Sequence, residues 1–207
     1  MNKKIVIKTV LSVGIAMATL LAGVDSHALN ISPIPVVVSA KARYATVTVE
    51  DNGASYQARL FSWTQKDGEE VLTETNDAVV SPGVFKTPKK IRLAFPDNRD
   101  KTREITYRLV LSELVDHSAL PQESVIRFQK TLDLPVFLTP SKIEKNVKHT
   151  CTDGTLTIKN EGNVHAKIVG TEAEGKESLM FYVLSGKSKT VAAHTVTLDD
   201  GKKISCK

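Results

Sequence analysis

The stretch Ser124–Pro140, SVIRFQKTLDLPVFLTP, decides how the chain is read. Taken at period two, Ile126, Phe128, Leu132, Leu134, Val136 and Leu138 share one face, while Arg127, Gln129, Thr131 and Asp133 fall on the other. Alternation over about 13 residues predicts a half-buried β-strand, long against the usual roughly 5–6 residues. A small sandwich does not need so long an apolar ridge on a single strand. The surplus predicts two roles for it: bridging two domains, and offering an apolar edge to a partner.

Working outward, shorter alternating runs at Val36–Val38, Tyr44–Glu50, Tyr56–Trp63, Ile91–Phe95 and Glu104–Leu114 lead up to the long one. Asp51-Asn52-Gly53 and Lys66-Asp67-Gly68 supply turns between them. This rhythm, with no sustained 3.6-residue period, predicts an antiparallel β-sandwich. Pro82 and Pro88 suit edge or bulge positions rather than central strands. After Thr139-Pro140-Ser141-Lys142 the pattern restarts on a smaller scale. It runs through Thr155–Lys159, an Glu161-Gly162-Asn163 turn, Val164–Val169, Leu179–Leu184 and Val196–Leu198. The expectation is an all-β chain of two β-sandwich domains in tandem, residues 29–140 and 141–207, with no helix required.

Lys3, Lys4 and Lys8 ahead of an apolar run from Val10 to Val24, with Ser26 and Ala28 at the −3 and −1 positions, predict a cleavable secretory signal over residues 1–28. No later segment approaches the ~18 consecutive apolar residues of a spanning helix, so stable membrane insertion is not expected. Removing 28 of 207 residues leaves 179, and the leader's three lysines against Asp25 take +2 of the net +5 with them. The remaining mild positive charge has no basic stripe interleaved with stacking rings, which argues against nucleic acid as a partner. In an exported chain two cysteines predict one disulfide, Cys151 with Cys206. Its long loop is worth roughly 4 kcal/mol in chain entropy, useful to a small second domain with a thin core.

A search for catalytic chemistry finds little. Ser62, Ser81 and Ser112 lack a nucleophile-elbow context. His117, His149 and His194 sit in polar or strand-like surroundings that suit solvated imidazoles, and neither His149 nor His165 stands at a zinc-ligand spacing from the cysteines. The adjacent carboxylates Glu69-Glu70 and Asp199-Asp200 would face opposite ways on a strand. No catalytic residue, metal site or cofactor is expected.

Certain motifs recur in a recognisable order. Val36 to Trp63 is followed by Thr64-Gln65-Lys66-Asp67-Gly68-Glu69. Then come Val80-Ser81-Pro82-Gly83-Val84-Phe85 with Pro88, Tyr107-Arg108-Leu109, and Leu134-Pro135-Val136-Phe137 with Pro140. This order resembles the PapD-like periplasmic pilus-assembly chaperones, and their archaic branch more than the best-studied one. The resemblance covers nearly the whole first domain. It implies two immunoglobulin-like domains in a boomerang, located in the periplasm and using no nucleotide. Such proteins lend the last strand of their first domain to an incomplete pilin, then pass that subunit to an outer-membrane usher. Carried onto this chain, the lent residues are Ile126, Phe128, Leu132, Leu134 and Val136. Family members also clamp the pilin's terminal carboxylate with an Arg on the first strand and a Lys on the last. Here those positions fall at Pro35 and near Asp133–Pro135. Arg108 is the leading substitute, followed by Lys130 and Arg127; Lys130 also interrupts the apolar ridge. The alternative reading, an exported adhesive or structural subunit of a surface fibre, would want an N-terminal extension to insert into a neighbour. Leu29–Pro35, with two prolines in seven residues, suits that poorly.

Overall fold

The computed structural model describes residues 29–114, 129–172 and 179–206. The leader, His117, Ile126, Arg127 and Phe128 lie outside them. Among the described residues every regular element is a β-strand, and these strands build four sheets.

The first sheet orders β1 (Asn30–Ser32), β3 (Tyr44–Glu50), β8 (Lys89–Ala94) and β6 (Val79–Ser81) as β1-β3-β8-β6. Facing it is a sheet of β2 (Val36–Val38), β10 (Thr131–Leu138), β9 (Ile105–Leu114), β4 (Ser55–Lys66) and β5 (Glu69–Glu74), with β7 (Val84–Lys86) also on β4. Alternation explains the core between them: Val47 and Val49 of β3, Ile91 and Leu93 of β8, and Leu109 and Leu111 of β9 are fully buried. The hairpin from β4 to β5 turns on Asp67 and Gly68 at φ 52° and 82°, the mirror-type turn whose twist matches the strands.

A second, smaller pair of sheets follows. One is β11 (Val147–Thr152), β12 (Thr155–Asn160) and β15 (Ser188–Val191). The other is β14 (Phe181–Val183), β13 (Ala166–Glu172), β16 (Thr195–Leu198) and β17 (Lys203–Ser205). Leu156, Ile158, Ile168, Val183 and Val196 form its centre. Cys151 of β11 is bonded to Cys206 just beyond β17, Cα to Cα 5.5 Å, closing a 55-residue separation across the two sheets. The pairing is the one expected, and its loop length supports the roughly 4 kcal/mol of chain-entropy stabilisation.

A small aromatic layer joins the sandwiches. Trp63, Phe137 and Leu184 are buried together, with Tyr182 against them. The Phe137 ring stacks on His165 at 3.7 Å, and Tyr182 packs edge-on to Trp63 at 5.8 Å. Gln65, 3 % exposed, grips the backbone of the second sandwich with both ends of its amide. Its Nε2 donates to the Tyr182 carbonyl at 2.8 Å, and its Oε1 accepts from Leu184 N at 2.9 Å. Glu104 accepts from the backbone N of His165 at 2.7 Å and lies within 3.0 Å of its Nδ1. The amide and the carboxylate are each satisfied across the junction, as buried polar groups must be.

Candidate functional site

The long strand is divided in use. On one side β10 pairs with β9 throughout, from Thr131 opposite Ser112 to Leu138 opposite Ile105. On the other side β2 covers only Val136–Leu138, in parallel register with Val36–Val38. Among the described residues no strand covers β10 on that side before Val136. The Lys130 carbonyl accepts from Glu113 N, and Thr139 N donates to the Val38 carbonyl. Alternation therefore turns the main-chain groups of Thr131, Asp133 and Pro135 toward the uncovered edge. Pro135 has no N–H to lose there, which is why a proline is tolerated inside this strand.

Exposure follows the same division. Thr131 and Asp133 are exposed and Leu132 is half-buried, while everything from Leu134 to Leu138 is buried. Leu134 and Val136, 4 % and 0 % exposed, belong to the first sandwich's own core. This corrects the expectation that both stand on an available ridge: their side chains already have partners inside the domain. Of the five residues read as lent, Leu132 alone is described and still partly open; Ile126 and Phe128 lie outside the described residues. Phe137, on the opposite face, carries the bridging role, and sequence periodicity did not single it out.

The candidate anchors separate in space. Arg108, on the outer face of β9, is 9 % exposed and lies over Trp63, Cζ 3.7 Å from the ring centre. Its Nη2 donates to both Glu70 oxygens at 2.7 Å, and its Nε is 3.7 Å from Asp133 Oδ1. The guanidinium thus reaches across β4 to the edge strand β5 and is held in an intramolecular pair. Burial pushes the Asp133 carboxyl above its ordinary range, with Arg108 opposing that. One cation between two carboxylates makes a poor seat for a third unless one withdraws.

Lys130 points to the other face of the strand. Its Nζ donates to Asp51 Oδ2 at 2.5 Å, the same oxygen that accepts from the Tyr56 hydroxyl at 2.6 Å. Burial would raise the Asp51 carboxyl, but hydrogen bonds from Lys130, Tyr56 and Asn52 N outweigh it and hold the pKa at about 2. Burial and the hydrogen bond to Asp51 push the Tyr56 hydroxyl up to about 12. Arg108 and Lys130 therefore cannot clamp one carboxylate together, and Arg127 lies outside the described residues. Among the described residues no group of three or more His, Cys, Asp or Glu side chains could hold a metal. Nor do they contain a helix long and apolar enough to cross a membrane.

No family model matches the chain, and no curated protein matches it either. Solved structures do. The chain is similar to a structure described as the CsuC–CsuE chaperone–tip adhesion subunit pre-assembly complex from the archaic chaperone–usher Csu pili of Acinetobacter baumannii. That match has 22 % identity and a TM-score of 0.67, over 86 % of this chain and 97 % of that one. The E. coli chaperone DraB matches at 16 % identity and TM-score 0.61, over 87 % and 98 % of the two chains. The Salmonella enterica SafA pilin–SafB chaperone complex matches at 13 % and 0.61, over 86 % and 93 %. At these identities the likeness establishes architecture: the chain has the tandem β-sandwich fold of the chaperone–usher pilus chaperones.

Proposed function

We propose that this protein is a periplasmic, non-enzymatic chaperone. It holds pilin subunits by completing their unfinished sandwich with the open edge of β10, and delivers them to an outer-membrane usher. The observation that carries the reading is the division of β10. Its last residues are locked between β9 and β2, while Thr131–Asp133 present main-chain groups and the half-buried Leu132 on an edge that no strand of the described residues covers. An uncovered edge is a template for another chain's strand, with affinity from main-chain hydrogen bonds and specificity from alternate side chains. Leu132, with Ile126 and Phe128 at the same period upstream, makes up the lent set; Leu134 and Val136 serve the host core. Export by a leader over residues 1–28, and domains at 29–140 and 141–207, belong to the same proposal.

Arg108 can receive a pilin carboxylate only by exchanging it for Glu70, which lies on an edge strand whose six residues are all exposed. The test is co-export with a pilin subunit. Leu132→Asp should leave the chaperone folded by circular dichroism and abolish co-purification. Recovery of the complex at wild-type yield would refute strand lending.

A further inference from the structure

The ladder between β9 and β10 ends on a half-made rung. Opposite residues of an antiparallel pair alternate between those that exchange both N–H···O bonds and those that exchange neither. Continuing the register from Thr131 and Ser112 puts Lys130 opposite Glu113, and this pair is of the first kind: Glu113 N donates to the Lys130 carbonyl at 2.8 Å. The return bond, from Lys130 N to the Glu113 carbonyl, is replaced by two side-chain bonds. Lys130 N donates instead to Glu113 Oε2 at 3.2 Å, and the Glu113 carbonyl accepts from Gln129 Nε2 at 2.6 Å. Both main-chain groups are thereby satisfied without the rung, and regular pairing starts at Thr131. Glu113 is 8 % exposed, on the same face of β9 as the core residues Leu109 and Leu111. No cation of the described residues forms an ion pair with it. A buried carboxylate calls for a donor, and here the donor is the main chain at the head of the open strand.

We infer that Glu113 and Gln129 are positioning residues: they stop the β9–β10 ladder and so set the length of the open edge, an inference that rests on strand lending by β10. With the stop engaged, the outward main-chain groups are those of Thr131, Asp133 and Pro135. Gln129 has the same parity. When both side chains swing into water, Lys130 N can donate to the Glu113 carbonyl, which brings Gln129 opposite Leu114. The N–H and C=O of Gln129 then join the edge offered to a partner's strand. Lys130 serves as the pivot, because its ammonium is held by Asp51 at 2.5 Å whichever acceptor its N–H uses. In the free chain two side-chain bonds stand against one main-chain bond, so the stop is the favoured arrangement. A partner strand that bonds to the lengthened edge reverses that preference, because it interacts with the released arrangement alone.

The test is proton NMR of the purified exported chain, because opposite residues that exchange no hydrogen bonds bring their Hα atoms close together. Thr131 with Ser112 is such a pair and reports the intact ladder; Gln129 with Leu114 becomes one only when the stop is released. Free wild type should show the Thr131–Ser112 Hα cross-peak and lack the Gln129–Leu114 one. Glu113→Ala/Gln129→Ala should show both, while Glu113→Gln, which keeps an acceptor oxygen for Lys130 N, should match wild type. The double variant should also bind a pilin subunit about two- to tenfold tighter, since its binding-competent arrangement is already populated. A Gln129–Leu114 cross-peak in free wild type overturns the stop, as does its absence from the double variant. Loss of the Thr131–Ser112 cross-peak in the double variant also overturns it, by making the two side chains parts of the ladder itself. Equal pilin affinity in wild type and double variant overturns the role in lending. If wild type captures no pilin, strand lending fails by itself, and the cross-peaks still decide on the stop.

Discussion

The two ends of β10 carry the same alternating pattern and do opposite things. From Leu134 onward, even-numbered residues fill the first sandwich and Phe137 fills the junction with the second. At Thr131–Asp133 the pattern continues, but β2 does not reach them, so among the described residues apolar character there is not matched by a covering strand. An alternating sequence specifies which side chains share a face. It does not specify whether a neighbour arrives to cover that face, because the neighbour's length decides that. Here a three-residue strand, bounded upstream by Ile34-Pro35, sets the limit between structure and availability.

The largest test of that division is a charge placed on either side of it. Val136→Asp puts a carboxylate at a fully buried position, where an unpaired charge costs at least about 3–5 kcal/mol, and the first sandwich should fail to fold. Leu132→Asp, one step of the alternation away from the sealed region, should cost less, about 1–2 kcal/mol in urea unfolding, since Leu132 packs against the same core but is only half-buried and the carboxylate can reach water. Equal losses at the two positions would erase the proposed boundary. The same comparison makes Leu134→Asp a poor probe of partner binding, because it removes the host fold first.

Phe137 tests the other face of the sealed end. Phe137→Ala removes the ring that touches His165, Tyr182 and Trp63, at about 3–5 kcal/mol for a buried aromatic. Because most of that ring's contacts cross the junction, the expected signature in calorimetry is the splitting of one unfolding transition into two. A single transition, merely shifted down, would place Phe137 in the first sandwich's stability rather than in the coupling of the two.

Much of this was legible in the sequence. Period-two runs located β2, β3, β4, β8, β9 and β10, and Asp67-Gly68 marked a real mirror-type turn. β5 was not legible: EEVLTE has no apolar alternation because all six residues are exposed on an edge. β11 and β15 are likewise polar, and pairing rather than burial makes them strands. The site was less legible than the fold. Arg108 could be picked out as a cation in a strand, but its engagement by Glu70 joins residues 38 apart, and no local pattern encodes it. Gln65, which grips the second sandwich, has one faint local signal: an amide at period two from Trp63, on a strand that continues past its apolar stretch.

Glu70→Gln sharpens the comparison at the partner's side. Replacing the carboxylate by an amide removes one of the two negative charges around Arg108 while keeping an acceptor oxygen near Nη2. If, as proposed, a pilin carboxylate must take Glu70's place, its affinity should rise about two- to tenfold, with little change in the protein's own stability, since Glu70 is about 40 % exposed. Weaker binding would instead mean that Glu70 positions the guanidinium for its guest.

The smallest expected effect concerns the post that marks where the open stretch begins. Asp51 holds Lys130 and Tyr56 at the sandwich end, and its pKa is lowered from 3.8 to about 2. A carboxyl depressed in the folded state contributes stability that is fully present above its unfolded pKa and is lost as pH falls through the folded value. The contribution should therefore be complete above roughly pH 4–5 and gone below about pH 2. Lys130 is about 44 % exposed, so solvent screening reduces the linked free energy to on the order of 1–2 kcal/mol. Asp51→Asn should lose that amount at neutral pH and show a flatter acid limb than wild type in urea melts taken from pH 5 to pH 2. Parallel acid limbs would mean that the ammonium and the phenol are held in place by packing alone, and that the start of the open stretch is not set by charge.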